Sequence, residues 1–315
     1  MSRSLRAIFG VMATASILTG AVGCDKRAAS KDTSAPAPRR TNLSGKPTAL
    51  FLIFGDKGDP RVLPVATLAG GKVVPIQLDA AGWRVFDGMY FREGTRLPVY
   101  RDGHTTSDAV VRRGMWEGKD ALYKLPGCQA LRPLAAATVQ GAESAQMPVM
   151  LELLGTSAPL AVAPKRADVM PADADSARAL ADRGAQHAGL TKAQRGELDL
   201  NVKAIATGAT ARPTLLVSWM ERNGGAGGKP RHIFLLGDAG ATGSYSTSYS
   251  YVATDSSPEF RRLLDHVDLT GDGVDEVVLE GWRNAGDSFL VVLGYQNGKW
   301  RELARSGTSW CADKT

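Results

Sequence analysis

Residues 289–303, FLVVLGYQNGKWREL, decide the fold class of this 315-residue chain. An apolar run suited to a buried strand leads to Asn297 and Gly298, and a second strand-like run follows. Asn and Gly accept positive φ and favour the type I′ turn that joins adjacent antiparallel strands. The segment therefore predicts a β-hairpin.

Short apolar runs separated by turn residues fill the rest of residues 199–315. Successive hairpins of this kind predict an antiparallel, mainly β domain. We predict its strands at 201–206, 214–220, 232–236, 245–253, 260–267, 277–282, 289–295 and 299–303.

Residues 48–172 show the same style and predict a first β-rich domain. Gly70 and Gly71 separate two strand-like runs and indicate a two-residue hairpin. We predict strands at 48–54, 65–69, 72–76, 89–91, 97–100 and 109–112, with a further apolar segment at 149–154 that suits a strand or a helical turn.

Residues 173–198 predict a helical connector between the two domains. The alanine-rich segment 175–187 has one apolar face, and Gly189 follows as a C-terminal stop. Thr191 and Gln194 form a capping-box pattern that begins a second short helix. The predicted fold class is mainly β (α+β), with two antiparallel β-rich domains joined by a short helical segment.

Composition and charge exclude several classes of protein. The 43% hydrophobic and 22% charged residues exclude a disordered, collagenous or multi-span membrane chain. The net charge of +6 comes from residues 1–47, because residues 48–315 hold 30 basic and 30 acidic groups. The basic pI therefore gives no indication of nucleic-acid binding, and we expect no nucleic-acid partner.

Residues 1–23 have the pattern of a secretory signal peptide. Two arginines precede an apolar run from 7 to 17 and a stretch of small residues. The segment Ala21, Val22, Gly23, Cys24 resembles the lipobox of bacterial lipoproteins. This resemblance implies lipid modification at Cys24 and a membrane-anchored protein of the cell envelope that faces the periplasm or the cell surface. A plain secretory signal, in which Cys24 is incidental, is the alternative.

Residues 24–47 predict a disordered tether that carries the lipidated N-terminus. The segment is rich in Ala, Ser, Pro, Lys and Arg and has almost no large apolar residue, so it cannot bury enough surface to fold. Its six cations would either remain solvated or contact anionic lipid headgroups. In both cases, the membrane partner is reached through the anchor at Cys24.

Two cysteines remain after Cys24, namely Cys128 and Cys311. Neither lies in a CxxC motif, and an oxidising compartment would permit them to form a disulfide. Two unpaired thiols are the alternative. The four histidines show no spacing typical of zinc ligands.

The loop 268–276, DLTGDGVDE, is the one motif with metal chemistry. It places side-chain oxygens at loop positions 1, 3, 5 and 9, and two glycines let the backbone wrap around a hard cation. The candidate ligands of a structural Ca²⁺ are the side chains of Asp268, Thr270, Asp272 and Glu276 and the carbonyl of Val274.

The segment 266–279 resembles the calcium loops of FG-GAP and VCBS-like proteins, because a strand follows the acidic loop. The resemblance implies calcium coordination by Asp268, Asp272, Glu276 and the Val274 carbonyl, whereas Thr270 departs from the usual Asn or Asp. The propeller fold of that family is not implied, since the loop occurs once. The alternative is a tight Asp/Gly hairpin whose carboxylates accept backbone N–H bonds without metal.

The sequence contains no GxSxG or SxxK motif of a hydrolase. We therefore expect a non-enzymatic cell-envelope lipoprotein, a binding or accessory module with a calcium loop and an unknown envelope protein or glycan as partner. One alternative is an envelope hydrolase whose site is assembled from distant residues. Another is a glycan-binding module that uses Tyr245, Tyr249 and Tyr251, since aromatic rings stack on sugars.

Overall fold

The computed structural model describes residues 41–116, 134–141, 147–161, 164, 166–221, 231–253, 259–283 and 288–307. These residues belong to one compact unit and form mainly antiparallel strands, so the predicted mainly β fold class is confirmed. The predicted signal peptide, Cys24, Cys128 and Cys311 lie outside the described residues. The predicted division into two domains, 48–172 and 199–315, stays a prediction that each segment folds independently.

The first half of the chain builds a closed antiparallel barrel. Six strands pair in the order β1-β7-β4-β5-β6-β2, and β2 pairs with β1 to close the ring, while β3 extends from β2. The strands are β1 (Thr48–Asp56), β2 (Arg61–Ala69), β3 (Lys72–Pro75), β4 (Arg96–Arg101), β5 (His104–Arg113), β6 (Ala135–Gln140) and β7 (Met150–Thr156).

One helix, α1 (Ala80–Tyr90), packs against the barrel interior. Its N-cap is Asp79, whose carboxylate accepts a hydrogen bond from the Gly82 N–H. Phe86 and Tyr90 join the cluster that all six strands build inside, so α1 covers one end of the barrel. The predicted strand at 89–91 is wrong, because these residues form the end of α1 and its C-cap Phe91.

The predicted helical connector contains two helices, α2 (Pro171–His187) and α3 (Lys192–Gly196). The capping box of Thr191 and Gln194 begins α3 as predicted. A four-stranded sheet follows, which we call sheet B. Its strands are β8 (Leu198–Ile205), β9 (Thr214–Glu221), β10 (His232–Ala239) and β11 (Tyr245–Val252), and the apolar face of α2 covers one side of it.

The last four strands form sheet C, a meander in sequence order. They are β12 (Glu259–Val267), β13 (Glu276–Arg283), β14 (Ser288–Gln296) and β15 (Lys299–Gly307). Asn297 and Gly298 have positive φ values of 51° and 77°, which confirms the predicted turn. Within sheet C, Leu279 packs against sheet B, whereas its neighbour Val278 packs against the outside of the barrel.

The order of layers is therefore α2, sheet B, sheet C and the barrel. Because both faces of sheet C are covered, its strands β13 and β14 are apolar on both sides. The 268–275 loop joins β12 to β13 at the edge where sheet C meets its two neighbours.

The described end of the predicted tether, residues 41–47, contacts the barrel side of the molecule. The Thr41 N–H donates to the Gln77 carbonyl at 2.9 Å, and Leu43 packs on the barrel core. Within the described part of the chain, no helix has the length and apolar character needed to cross a membrane.

Candidate metal centre

The acidic loop is a tight turn held by its own carboxylates. Gly271 and Gly273 adopt φ values of 75° and 88°. This region of backbone conformation favours glycine. The Asp268 carboxylate accepts hydrogen bonds from the N–H groups of Gly271 at 2.7 Å and Gly273 at 2.9 Å. The turn therefore wraps around Asp268.

Glu276 holds the loop from the opposite end. One of its oxygens, Oε2, accepts bonds from the N–H groups of Leu269 at 2.7 Å and Thr270 at 3.1 Å. The Thr270 hydroxyl donates to the other oxygen, Oε1, at 3.1 Å. These bonds are the ones expected for the metal-free Asp/Gly turn, and they leave further lone pairs on each carboxylate oxygen available to a cation.

Two of the three buried carboxylates of the loop, Asp268 and Glu276, have only neutral partners among the described residues. Asp268 is 4% exposed and Glu276 is 2% exposed, and among the described residues neither forms an ion pair. Burial outweighs the hydrogen bonds that Glu276 accepts and raises its pKa to about 7. A buried carboxylate without a counter-charge is costly unless it is protonated or binds a metal.

Of the remaining predicted ligands, Asp272 lies on the solvent side of the same loop, and Thr270 and Val274 are half-buried. Asp272 is exposed, and its Oδ1 accepts a bond from the Val274 N–H at 2.9 Å. Its Oδ2 has no partner among the described residues. Carboxylate, hydroxyl and carbonyl oxygens are the hard donors that Ca²⁺ prefers, so the donor types of this loop fit that ion. Among the described residues, however, the carboxylates of Asp268, Asp272 and Glu276 are not gathered within 4.8 Å of one another, so an ion would have to draw them together.

Asp275, in the same loop, is paired with a cation instead. Its carboxylate forms an ion pair with Arg166 and accepts a bond from His266 Nδ1 at 2.8 Å. Arg166 also donates to the Gly273 carbonyl, and the Asp275 N–H donates to the Thr207 carbonyl at 2.8 Å. This side of the loop is therefore fixed to the body of the protein by the chain's own charges.

A second group of titratable side chains lies next to the loop. Carboxylate oxygens of Asp102 and Asp265 and a ring nitrogen of His266 lie within 4.8 Å of one another. Asp265 accepts bonds from the N–H groups of Asp102 at 2.9 Å and His266 at 2.7 Å. Lys203 forms an ion pair with Asp102 at 3.0 Å. The group joins the β4–β5 turn of the barrel to sheet C.

Sequence reasoning missed this second group and the role of Arg166. The members of the group are brought together by the packing of the barrel on sheet C, and 163 positions separate Asp102 from Asp265. No local spacing could indicate such a contact. Asp102 has a positive φ of 49°, which shows that the β4–β5 turn is tight. The Asp102–Gly103 pair, a combination typical of tight hairpin turns, is the only local signal for it.

The three tyrosines considered for glycan binding do not form one aromatic strip. A register shift between β10 and β11 changes which face of the sheet the side chains occupy. Tyr245 packs on the α2 side of sheet B, whereas Tyr249 and Tyr251 pack between sheets B and C. The Tyr249 hydroxyl bonds Arg261, and the guanidinium of Arg261 lies 3.8 Å from the Tyr251 ring centre.

No family model, no curated protein and no solved structure matches the chain. Function must therefore be argued from the residues.

Proposed function

We propose that this protein is a lipid-anchored, non-enzymatic binding or accessory module of the cell envelope, with a structural Ca²⁺ in the 268–276 loop. The lipobox-like segment that ends at Cys24 supports export and anchoring. The neutral charge of residues 48–315 and the β-rich fold are compatible with work outside the cytosol.

One observation carries the calcium part of the proposal: Asp268 and Glu276 are buried together with neutral donors only. Both carboxylates lose hydration on burial, and repulsion from Asp272 adds to the cost of a charge on Glu276. A divalent cation would supply the missing charge, and Asp272, Thr270 and the Val274 carbonyl would complete its oxygen ligands.

The role of such an ion would be structural because of where the loop lies. The loop joins β12 to β13 in the central sheet, and its Asp275 N–H bonds Thr207 next to sheet B. On the other side, a Cβ on Gly71 of the β2–β3 turn would lie 3.4 Å from the Thr270 carbonyl. An ion in the loop would therefore stabilise the junction of the barrel with both sheets.

Thermal unfolding of the full chain in detergent tests the calcium site. With about 5 mM Ca²⁺ and a dissociation constant of about 1 mM, the ion should add about 1 kcal/mol, or about 2–4 °C in melting temperature. Asp272→Ala should lose this shift, and Mg²⁺ should not replace Ca²⁺ because it keeps its own waters. Equal melting temperatures with Ca²⁺ and with chelator would contradict the site.

Lipid labelling of the protein in a bacterial envelope tests the anchor. The wild type should incorporate labelled fatty acid and partition into the membrane fraction, and Cys24→Ser should do neither. Cys128→Ser is the matched control and should behave like the wild type. An unprocessed wild-type chain that carries no lipid would contradict the anchoring proposal.

A further inference from the structure

We infer that the outer face of helix α1 docks on the surface of the lipid bilayer that holds the anchor. This inference rests on the proposed lipid anchor and adds the face of the protein that meets the membrane. We call the docking surface the α1 patch. It consists of the exposed residues Ala80, Ala81, Arg84, Val85 and Gly88 of α1 and of Trp116 beside them.

The α1 patch has the composition of a surface that meets a membrane. The solvent side of a surface helix normally carries charged and polar residues. Of the five helix residues in the patch, Arg84 alone is charged, whereas Val85 is 55% exposed. Trp116 is 40% exposed, and the guanidinium of Arg84 lies 5.5 Å from its ring centre. Tryptophan and arginine next to apolar residues are typical of surfaces at the membrane–water interface.

The charges around the patch nearly cancel, so apolar contact would hold the patch itself to the membrane. The charged residues at its border are Lys46, Asp79, Asp87, Arg92 and Glu93. Attraction to anionic headgroups comes instead from the predicted tether, in which Arg39 and Arg40 directly precede the described residues. The two contributions are complementary, because the cations bring the patch close and its apolar groups make the contact.

The chain that leads to the anchor joins the body next to α1. The Thr41 hydroxyl accepts a bond from the Gln77 N–H at 2.7 Å, two residues before the N-cap of the helix. At the other end of α1, the Tyr90 hydroxyl donates to the Pro47 carbonyl. Residues 41–47 therefore lie along α1, and the predicted tether starts from this end of the barrel.

The length of the tether selects the membrane as the occupant of the patch. A flexible chain of 17 residues, the separation of Cys24 and Thr41, has an r.m.s. end-to-end distance of roughly 20–25 Å and an extended length of roughly 60 Å. A surface held so close is present at a high effective concentration, so even a small contact is occupied. A stable interface with another protein uses roughly 20–30 residues on each side, far more than the patch contains.

The opposite end of the barrel provides a matched control. Strand β1 begins directly after Pro47 and ends at Asp56, which pairs with Met150. A strand of nine residues is roughly 25–30 Å long, so Val149, next to Met150, lies far from α1. Val149 is 71% exposed, and its side chain is the same as that of Val85. The two valines therefore differ in position and not in chemistry.

Fluorescence quenching by brominated phospholipids tests the docking of the lipidated full chain in vesicles. In vesicles of phosphatidylcholine and phosphatidylglycerol, the bromine atoms should quench Trp116. Trp116→Phe should remove most of this quenching, whereas Trp219→Phe, which removes a buried ring of sheet B, should retain it. Val85→Ser should lower the ratio of docked to undocked protein about fivefold because an apolar contact is lost. Val149→Ser should leave the ratio unchanged.

Flotation of the same vesicles measures the anchor separately from docking. If the protein floats with the vesicles but Trp116 is not quenched, the docking inference is overturned and the anchor stands. If Val149→Ser lowers the quenching and Val85→Ser does not, the opposite end faces the membrane and the inference is overturned. A chain without lipid whose Trp116 is still quenched would contradict the anchor and support the docking surface. Quenching should be weaker in phosphatidylcholine alone, and equal quenching would overturn the role given to the two arginines.

Discussion

Two groups of buried carboxylates in sheet C differ in how their charge is compensated. Glu259, 5% exposed, bonds three guanidinium groups: Arg283 at 2.6 Å, Arg261 at 3.0 Å and Arg305 at 3.2 Å. Asp268 and Glu276, at the other end of the same strands, accept bonds from neutral groups only among the described residues. The described part of the chain therefore supplies a counter-charge to Glu259 but none to Asp268 and Glu276.

The pKa values of Glu259 and Glu276 move in opposite directions. Burial alone would raise the pKa of Glu259, but the hydrogen bonds from Arg283, Arg261 and Arg305 together overcome burial and lower it to about 2. Burial dominates at Glu276 and raises its pKa to about 7. Burial therefore prevails at Glu276, where no cation is packed against the carboxylate, and is overcome at Glu259 by three guanidinium groups.

The largest expected effect is that of Glu259→Gln. Removing the carboxylate leaves the buried Arg261 without its counter-charge, which should lower the free energy of unfolding by about 3–5 kcal/mol. Urea unfolding measures this change. Glu302→Gln breaks the exposed pair with Arg305. That variant should cost about 1 kcal/mol or less. Equal losses of unfolding free energy in the two variants would contradict the distinction between the buried and the exposed ion pairs.

The second prediction concerns acid unfolding. The pKa of Glu259 is lowered from 4.5 to about 2 in the folded protein, so its stabilisation is present above pH 4.5 and is lost as the pH falls towards 2. The loss should reach about 3 kcal/mol. Stability measured against pH should therefore fall over this interval in the wild type.

Glu259→Gln should lack that fall, which makes it the control. His232 affects the pH dependence of stability at higher pH. Burial lowers its pKa from 6.5 to about 4, so the stability that its neutral ring contributes is lost as the pH falls from 6.5 to 4. Its neutral ring bonds the Trp219 carbonyl and the Arg261 N–H, each at 3.0 Å. If the stability of Glu259→Gln still falls below pH 4 as that of the wild type does, the assignment of this fall to Glu259 is wrong.

Glu276→Gln should have a smaller effect that depends on calcium. The amide keeps an oxygen to accept the N–H bonds of Leu269 and Thr270 while it removes an uncompensated charge. Without Ca²⁺ the variant should be at least as stable as the wild type, and with Ca²⁺ it should lose the gain of about 1 kcal/mol. Melting with Ca²⁺ and with chelator measures both. A large loss of stability in chelator would contradict the inference that the charge of Glu276 is uncompensated in the absence of an ion.

The smallest expected effect is that of Asp272→Ala in chelator. Asp272 is exposed and accepts one bond from Val274. Its removal should therefore change the free energy of unfolding by about 0.5 kcal/mol or less. Chemical unfolding in chelator measures the change. A loss as large as that of Glu259→Gln would show that the loop depends on charge even without an ion.

Much of the β-structure could be predicted because its signals are local. Signals that span only a few residues predicted the turns at Gly70–Gly71 and Asn297–Gly298, the capping box at Thr191 and the strands of sheet C. The helix α1 was missed, although Asp79 and the spacing of Phe86 and Tyr90 were available as signals. Its two internal glycines, Gly82 and Gly88, weaken the helical pattern.

The long-range parts of the fold and of the site could not be predicted. The alanine-rich strand β6 has low β-propensity and forms because the barrel pairs it on both sides. The 268–276 loop could be recognised because its bonds are local. In contrast, Arg166 reaches Asp275 from 109 positions away, and no spacing rule connects such residues.

Closure of the barrel has a consequence for how the chain is assembled. Strand β1 pairs with β2 directly but needs β7, which begins at Met150, to cover its other edge. Until that later strand arrives, a nascent chain presents the apolar strand β1 with unpaired backbone groups, which favours self-association. We expect premature termination before residue 150 to yield aggregates, and a holdase chaperone to be needed until β7 has been synthesised.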